Sequence, residues 1–105
     1  MTTAALIDLD ALARIGEALA DENRRRIIVH LLTGPSYPAD IAEQLRLGRT
    51  NVSNHLACLR GCGLVAAAPE GRRIRYQLAD ERLADALVTL STLDLGAPHG
   101  CRHQP

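Results

Sequence analysis

Two cysteines, Cys58 and Cys62, stand four residues apart in the stretch HLACLRGCGLV. On a helix that spacing presents both sulfurs to one side, close enough to hold a single soft metal ion. A disulfide between them is disfavoured, because helical Cβ vectors are poorly set for the bond. Either cysteine alone reads as a small buried hydrophobe, a common fate of free thiols. The pair at this spacing reads better as ligands. A third, Cys101, sits in HGCRH with nothing apolar beside it. An exposed thiol is a liability unless it has a task, and folded onto Cys58 and Cys62 it completes three sulfur ligands. Thiolates select soft or borderline ions such as cadmium, lead, zinc or copper(I), and arsenite, which also favours three sulfurs, suits the same set. His99 and His103 flank Cys101 and could serve as a fourth ligand, a second site or neither, with neither the default reading. Three cysteines are too few and too odd in number for a disulfide framework, which points to metal or reactive thiols in a reducing compartment.

The second chemical signal is arginine. The chain has no lysine, and its arginines cluster at Arg24-Arg25-Arg26 and at Arg72-Arg73-x-Arg75. A formal net charge of zero excludes a basic protein that coats nucleic acid indiscriminately. Arginine forks can nonetheless grip phosphates locally. For a lone run, a solvated face is the plainer reading.

These groups need elements to position them. A chain of 105 residues makes one domain with a modest core, and with only Tyr37 and Tyr76 aromatic that core must be Leu, Ile, Val and Ala. A small aliphatic domain gains from pairing with a second copy. No stretch is long and apolar enough to span a bilayer, and MTTAALIDLDALAR is acidic where a signal peptide would be basic. The expectation is a cytoplasmic protein without a membrane partner.

LDALARIGEALAD puts Leu9, Leu12, Ile15, Gly16 and Leu19 near one stripe and predicts a first helix. Asp21 can cap the next, ENRRRIIVHLLTG, which stops at Gly34-Pro35. PADIAEQL predicts a short helix with Pro38 in its first turn, and after RLG comes the helix RTNVSNHLACLRGCG. Ile74, Tyr76 and Leu78 then alternate with Arg73, Arg75 and Gln77, and PEG supplies a turn between two strands. DERLADALVTLSTLDL returns to helix. The organisation predicted is mainly α with a β-hairpin wing (α+β), a winged helix-turn-helix. Residues 1–95 form the DNA-binding and dimerisation domain, and 96–105 a flexible C-terminal tail carrying a metal ligand.

Within the fourth helix Val52, Leu56 and Leu59 fall within about 60° of one another and make its buried side. Thr50, Asn51, Ser53 and Asn54 lie off that stripe, with short hydrogen-bonding side chains suited to base edges and phosphates. Asn51, His55, Cys58 and Cys62 share a sector of about 60° beside the buried stripe. A polar solvent face is the bland alternative, but position after a short helix and before an arginine-bearing hairpin favours DNA. Thr50, Asn51, Ser53, Asn54 and His55 are therefore expected to contact or position DNA, and Arg49, Arg72, Arg73 and Arg75 to bind phosphates or the minor groove.

YPADIAEQL, RTNVSNHLACLRGCGLV and EGRRIRYQL resemble the ArsR/SmtB family of metal-responsive winged-helix repressors, over nearly the whole chain up to about Ala79. The resemblance implies a homodimer joined by first and last helices, bound to palindromic operator DNA and released by an inducer. Arg46 stands where the family often has glycine, so mild strain is expected there. The family's familiar inducer sites are a cysteine pair on the helix before the reading helix, or His and carboxylates on the last helix. YPADIAEQL has no cysteine and DERLADALVTLSTLDL no histidine, so neither can be built. Within the family the chain is similar to the CmtR-type cadmium/lead-sensing branch, whose NHLxCLRGCGLV block and tail cysteine match Cys58, Cys62 and Cys101. In that branch the tail ligand comes from the other subunit.

The function expected is a metal-responsive repressor released by cadmium or lead, with zinc or arsenite as alternatives at the same cysteines. Its rivals are a thiol redox switch on those cysteines and a metal buffer or chaperone without an operator. No nucleophile–base pair or phosphate loop suggests an enzyme or a small-molecule substrate, and His30 within IIVHLL reads as a core or interface histidine.

Overall fold

A computed structural model of the chain describes residues 3–96. Cys101, His99 and His103, and with them the expected tail, lie outside the described residues. After a 3-10 turn at Thr3–Leu6 come α1 (Leu9–Ala20), α2 (Glu22–Leu31), α3 (Pro38–Leu45), α4 (Arg49–Gly61), β1 (Val65–Glu70), β2 (Arg73–Leu78) and α5 (Arg82–Ser91). This is the predicted order of elements, a winged helix-turn-helix, and the expected mainly α fold with a β-hairpin wing stands.

Capping chemistry sets the helix limits. Asp8 accepts from the Ala11 amide and starts α1, and Asp10 pairs with Arg14 one turn on. Asp21 alone separates α1 from α2, accepting from the Arg24 amide at 3.0 Å. Pro38 opens α3, where its missing N–H costs nothing. Both α3 and α4 end in a left-handed residue whose successor reaches back five residues. Leu47 donates to the Ala42 carbonyl across Arg46, and Leu64 to the Leu59 carbonyl across Gly63. Gly63 takes φ 83 freely, whereas Arg46 holds φ 56 with a Cβ. Arg46→Gly should therefore raise unfolding free energy by a few tenths to about 1 kcal/mol, read as a higher urea midpoint at unchanged slope.

The core is aliphatic, as the composition requires. Ile27, Ile28 and Leu31 of α2 sit at its centre, against Ala18 of α1, Ile41 and Ala42 of α3, and Val52, Leu56 and Leu59 of α4. The predicted buried stripe of α4 is thus observed. Leu64 and Val65 close the core beneath the hairpin. The stripe of α1 behaves differently: Leu9 and Leu12 are exposed, and Ala18 is the helix's one buried residue.

The hairpin is antiparallel, pairing Val65 with Leu78 through to Glu70 with Arg73. Its turn is Gly71-Arg72, with Gly71 at φ 62, not the PEG expected from sequence. Pro69 instead lies within β1 opposite Ile74. A two-stranded sheet has only edge strands, and an edge tolerates the missing donor. Ser36 and Tyr76 exchange two backbone hydrogen bonds at 2.9 and 2.8 Å, which ties the segment before α3 to β2.

Candidate metal centre and nucleic-acid interface

The two halves of the candidate site share α4. Its first turns carry the residues expected to read DNA; Cys58 lies in its last turn, and Cys62 caps it. Arg49, Thr50, Asn51, Ser53 and Asn54 are all exposed. His55 is placed differently, with its side chain 16% exposed and Nε2 3.8 Å from Asp21 Oδ2. Asp21 is held below the usual carboxylate range, first by the Arg24 amide it accepts from and then by His55 and the Arg24 charge. The histidine thus braces α4 against the start of α2, while the exposed side chains face outward beside it.

Cys58 and Cys62 are free thiols, both half-buried, beside the core stripe rather than within it. Burial pushes the Cys62 thiol up, Cys58 and the Glu17 carboxylate push it further, and Arg24 opposes them. Cys62 also lines an open cleft of about 360 Å³ between α1, the end of α4 and the start of α5. Arg14, Arg82 and Leu83 form its other walls. Among the described residues no cluster of three or more His, Cys, Asp or Glu side chains could hold a metal ion. As a donor set, two half-buried sulfurs on one side of a helix fit a soft ion, and a hard ion would want oxygens.

On the wing, Arg72 is exposed at the hairpin tip. The Arg73 guanidinium lies 3.5 Å over the Tyr37 ring and donates to Asp40 Oδ2 at 2.7 Å. Arg75 approaches Glu70 at 3.7 Å, and its Nε is buried with no hydrogen-bond partner among the described residues.

The arginine run at 24–26 does something the charge pattern did not suggest. Arg24 donates to the carbonyls of Ala18 and Glu17, Arg25 to that of Leu19, and Arg26 to that of Leu45. The run is neither a phosphate grip nor an idle solvated face. It satisfies the last carbonyls of α1 and α3, the groups a helix C-terminus leaves open and a cation stabilises. His30 is half-buried, with Nε2 3.4 Å from Ser36 Oγ, which fits its reading as a structural histidine.

The family model described as "Bacterial regulatory protein, arsR family" matches residues 21–67, the span from the Asp21 cap through the reading helix to the first wing strand. The chain belongs to this arsR family, whose members are winged helix-turn-helix transcription regulators and not enzymes. It is 64% identical over 80 residues to the HTH-type transcriptional regulator CmtR of Mycobacterium tuberculosis (strain H37Rv), covering 76% of this chain and 68% of that protein. The NMR structure of the cadmium metal-sensor CMTR from Mycobacterium tuberculosis superposes with a TM-score of 0.67 at 55% identity, covering 89% of this chain and 94% of that one. A homodimeric winged helix-turn-helix DNA-binding domain from Mycobacterium bovis superposes with a TM-score of 0.74 at 35% identity, over 99% of this chain and 97% of that one.

Proposed function

We propose that the chain represses transcription in the cytoplasm by binding double-stranded operator DNA as a homodimer, and that it lets go when cadmium or lead is held by Cys58, Cys62 and Cys101. The observation that carries this reading is the pair of half-buried free thiols one turn apart at the C-terminal end of the helix that exposes Thr50, Asn51, Ser53 and Asn54. Its similarity to a cadmium metal-sensor supports the choice of ion, with zinc a further candidate at the same sulfurs. When bound, the ion supplies a bridge between the three cysteines. Thr50, Asn51, Ser53 and Asn54 read base edges or position the helix, His55 helps position it from beside Asp21, and Arg49, Arg72, Arg73 and Arg75 grip phosphates. Cys101 comes from the 96–105 segment, which serves as the tether, and by resemblance from the other subunit. A tether fixed on the reading helix re-aims the two half-site readers, and coupling of ~1–3 kcal/mol changes operator affinity roughly 5- to 150-fold.

The dimer uses the apolar surface that the protomer leaves uncovered. Leu6, Ile7, Leu9 and Leu12 at the N-terminal end, and Val88, Leu90, Leu93 and Leu95 in and after α5, are all exposed. The homodimeric domain from Mycobacterium bovis supports pairing of this kind.

A thiolate ligand must lose its proton, and a raised thiol pKa widens the pH range over which the ion has to displace one. Inducer affinity should therefore fall as pH falls, by about tenfold per pH unit for each thiol deprotonated on binding. Cys62, pushed up by burial and by Cys58, keeps that slope going to higher pH than an ordinary cysteine. Metal titrations between pH 6 and 9 read the slope directly, and a flat profile would speak against thiolate ligation.

The reading is tested by a mobility-shift assay on promoter DNA with reduced protein under argon. Release on adding cadmium or lead supports it. Release only on adding oxidant would replace it with a thiol redox switch, and no operator binding at all would leave a metal buffer.

A further inference from the structure

The wing arginine Arg73 is held by a network that reaches back to the helix-turn-helix. Pro38 restricts the residue before it to extended backbone, and Tyr37 duly sits at φ −124, ψ 150. Ser36, one residue earlier, is locked to Tyr76 of β2 by two backbone hydrogen bonds. The Tyr37 ring therefore leaves the backbone at a set point beside the wing. Its hydroxyl donates to Glu70 Oε1 at 2.6 Å, which fixes the ring from the far end. On that ring rests the Arg73 guanidinium, 3.5 Å from its centroid. Asp40, in the first turn of α3, takes one edge of the guanidinium through Nη2. Asp40 and Arg73 lie 33 residues apart in sequence, so the contact joins the first helix of the reading motif to the wing.

A guanidinium carries five N–H donors in a rigid plane. Among the described residues Asp40 is the one hydrogen-bond partner of the Arg73 guanidinium, and the side chain is still 52% exposed. One face is covered by the ring and one edge is used; the other donors are open to an oxyanion. An arginine swinging freely in water loses that freedom when it grips a phosphate, whereas one already fixed does not.

We propose that Tyr37 and Asp40 are positioning residues for DNA binding, which hold Arg73 between ring and carboxylate with its remaining N–H groups ready for a backbone phosphate, and that Glu70 steadies Tyr37 in this role. The proposal rests on the assignment of Arg73 to the DNA backbone under the function given above. Exposed charge pairs contribute little to folding. The value of the Asp40–Arg73 pair lies in aim.

A double-mutant cycle of Tyr37→Leu and Arg73→Ala tests it, with operator and random-sequence DNA affinity measured for the full chain at a temperature where thermal unfolding shows all four proteins folded. Arg73→Ala should weaken both DNAs alike. Tyr37→Leu should weaken operator binding roughly 2- to 5-fold, the scale of an exposed cation–π contact, and should cost nothing more when Arg73 is already alanine. Losses that multiply in the double variant, or parental affinity for Tyr37→Leu, would overturn the positioning role while leaving Arg73 on the DNA. No effect of Arg73→Ala would overturn the underlying assignment itself. Arg73→Lys gives a second reading that does not depend on Tyr37→Leu folding. It keeps the charge but loses the planar stack, and should bind operator more weakly by a similar factor; parental affinity for the lysine protein also contradicts the proposal.

Discussion

Cys101→Ser should bind operator as tightly as the parent and lose its response to cadmium or lead. The first half follows from position: the reading face of α4 and the wing are built wholly within residues 3–96, and Cys101 lies beyond them. The second follows from valence. A hydroxyl is a hard, weakly acidic ligand where a soft ion wants thiolate, and Cys58 and Cys62 alone hold the ion to one helix without a tether. The whole coupling, worth up to about 150-fold in operator affinity, should then vanish. Cys62→Ser should lose the response too, with the ion held more weakly because one of the two sulfurs at the end of α4 is gone. Operator-binding curves with and without metal distinguish the variants when paired with a metal-binding isotherm. Intact induction in Cys101→Ser would remove the segment from the mechanism.

Leu56→Ala should cost about 2–5 kcal/mol of stability. Leu56 is fully buried on the inner side of α4, among Ile27, Ile41, Val52 and Leu59 in the core. Stability of small domains is marginal, so a loss of this size removes a large share of it. The same helix carries both the reading residues and the thiols, and its loosening should weaken operator binding and metal binding together. Thr50→Ala, on the exposed face of the same helix, should stay within about 0.5 kcal/mol of the parent. Urea unfolding followed by circular dichroism separates the two, at matched protein concentration because dimerisation is linked to folding.

What sequence made legible, and what it hid, divides by range. Local signals sufficed for α3, whose limits Pro38 and Leu45 coincide with the predicted segment, and for Asp21 as a cap. Periodicity placed Val52, Leu56 and Leu59 inside, with Cys58 and Cys62 at the margin, because a helix fixes those angles whatever surrounds it. The hairpin turn was started two residues too early, at Pro69 instead of Gly71, since Pro in PEG looks like a turn former until the strand is seen to be an edge. Arg24-Arg25-Arg26 resisted reading for a related reason. A charge run says nothing about which carbonyls lie nearby, and only the one-residue joint at Asp21 brings the end of α1 within their reach. Helix starts so close behind a helix end, followed by arginine, are a signal that could have revealed it. The Tyr37–Arg73–Asp40 cluster was invisible, being made of partners 33 or more residues apart. His55 stood in the sequence beside the cysteines and the DNA contacts alike; its place 3.8 Å from Asp21 depends on how α4 crosses α2, which no local pattern encodes.

Central to the account is that sulfur ligation and operator release are one event. The most direct measurement titrates reduced protein bound to labelled operator with cadmium, following thiolate-to-metal charge-transfer absorbance and DNA anisotropy in the same cuvette. Both signals should saturate at the same ratio of ion to protomer, and both should fall away in Cys62→Ser. Full release of operator while the thiolate absorbance stays silent, or full absorbance with the operator still held, would contradict the account.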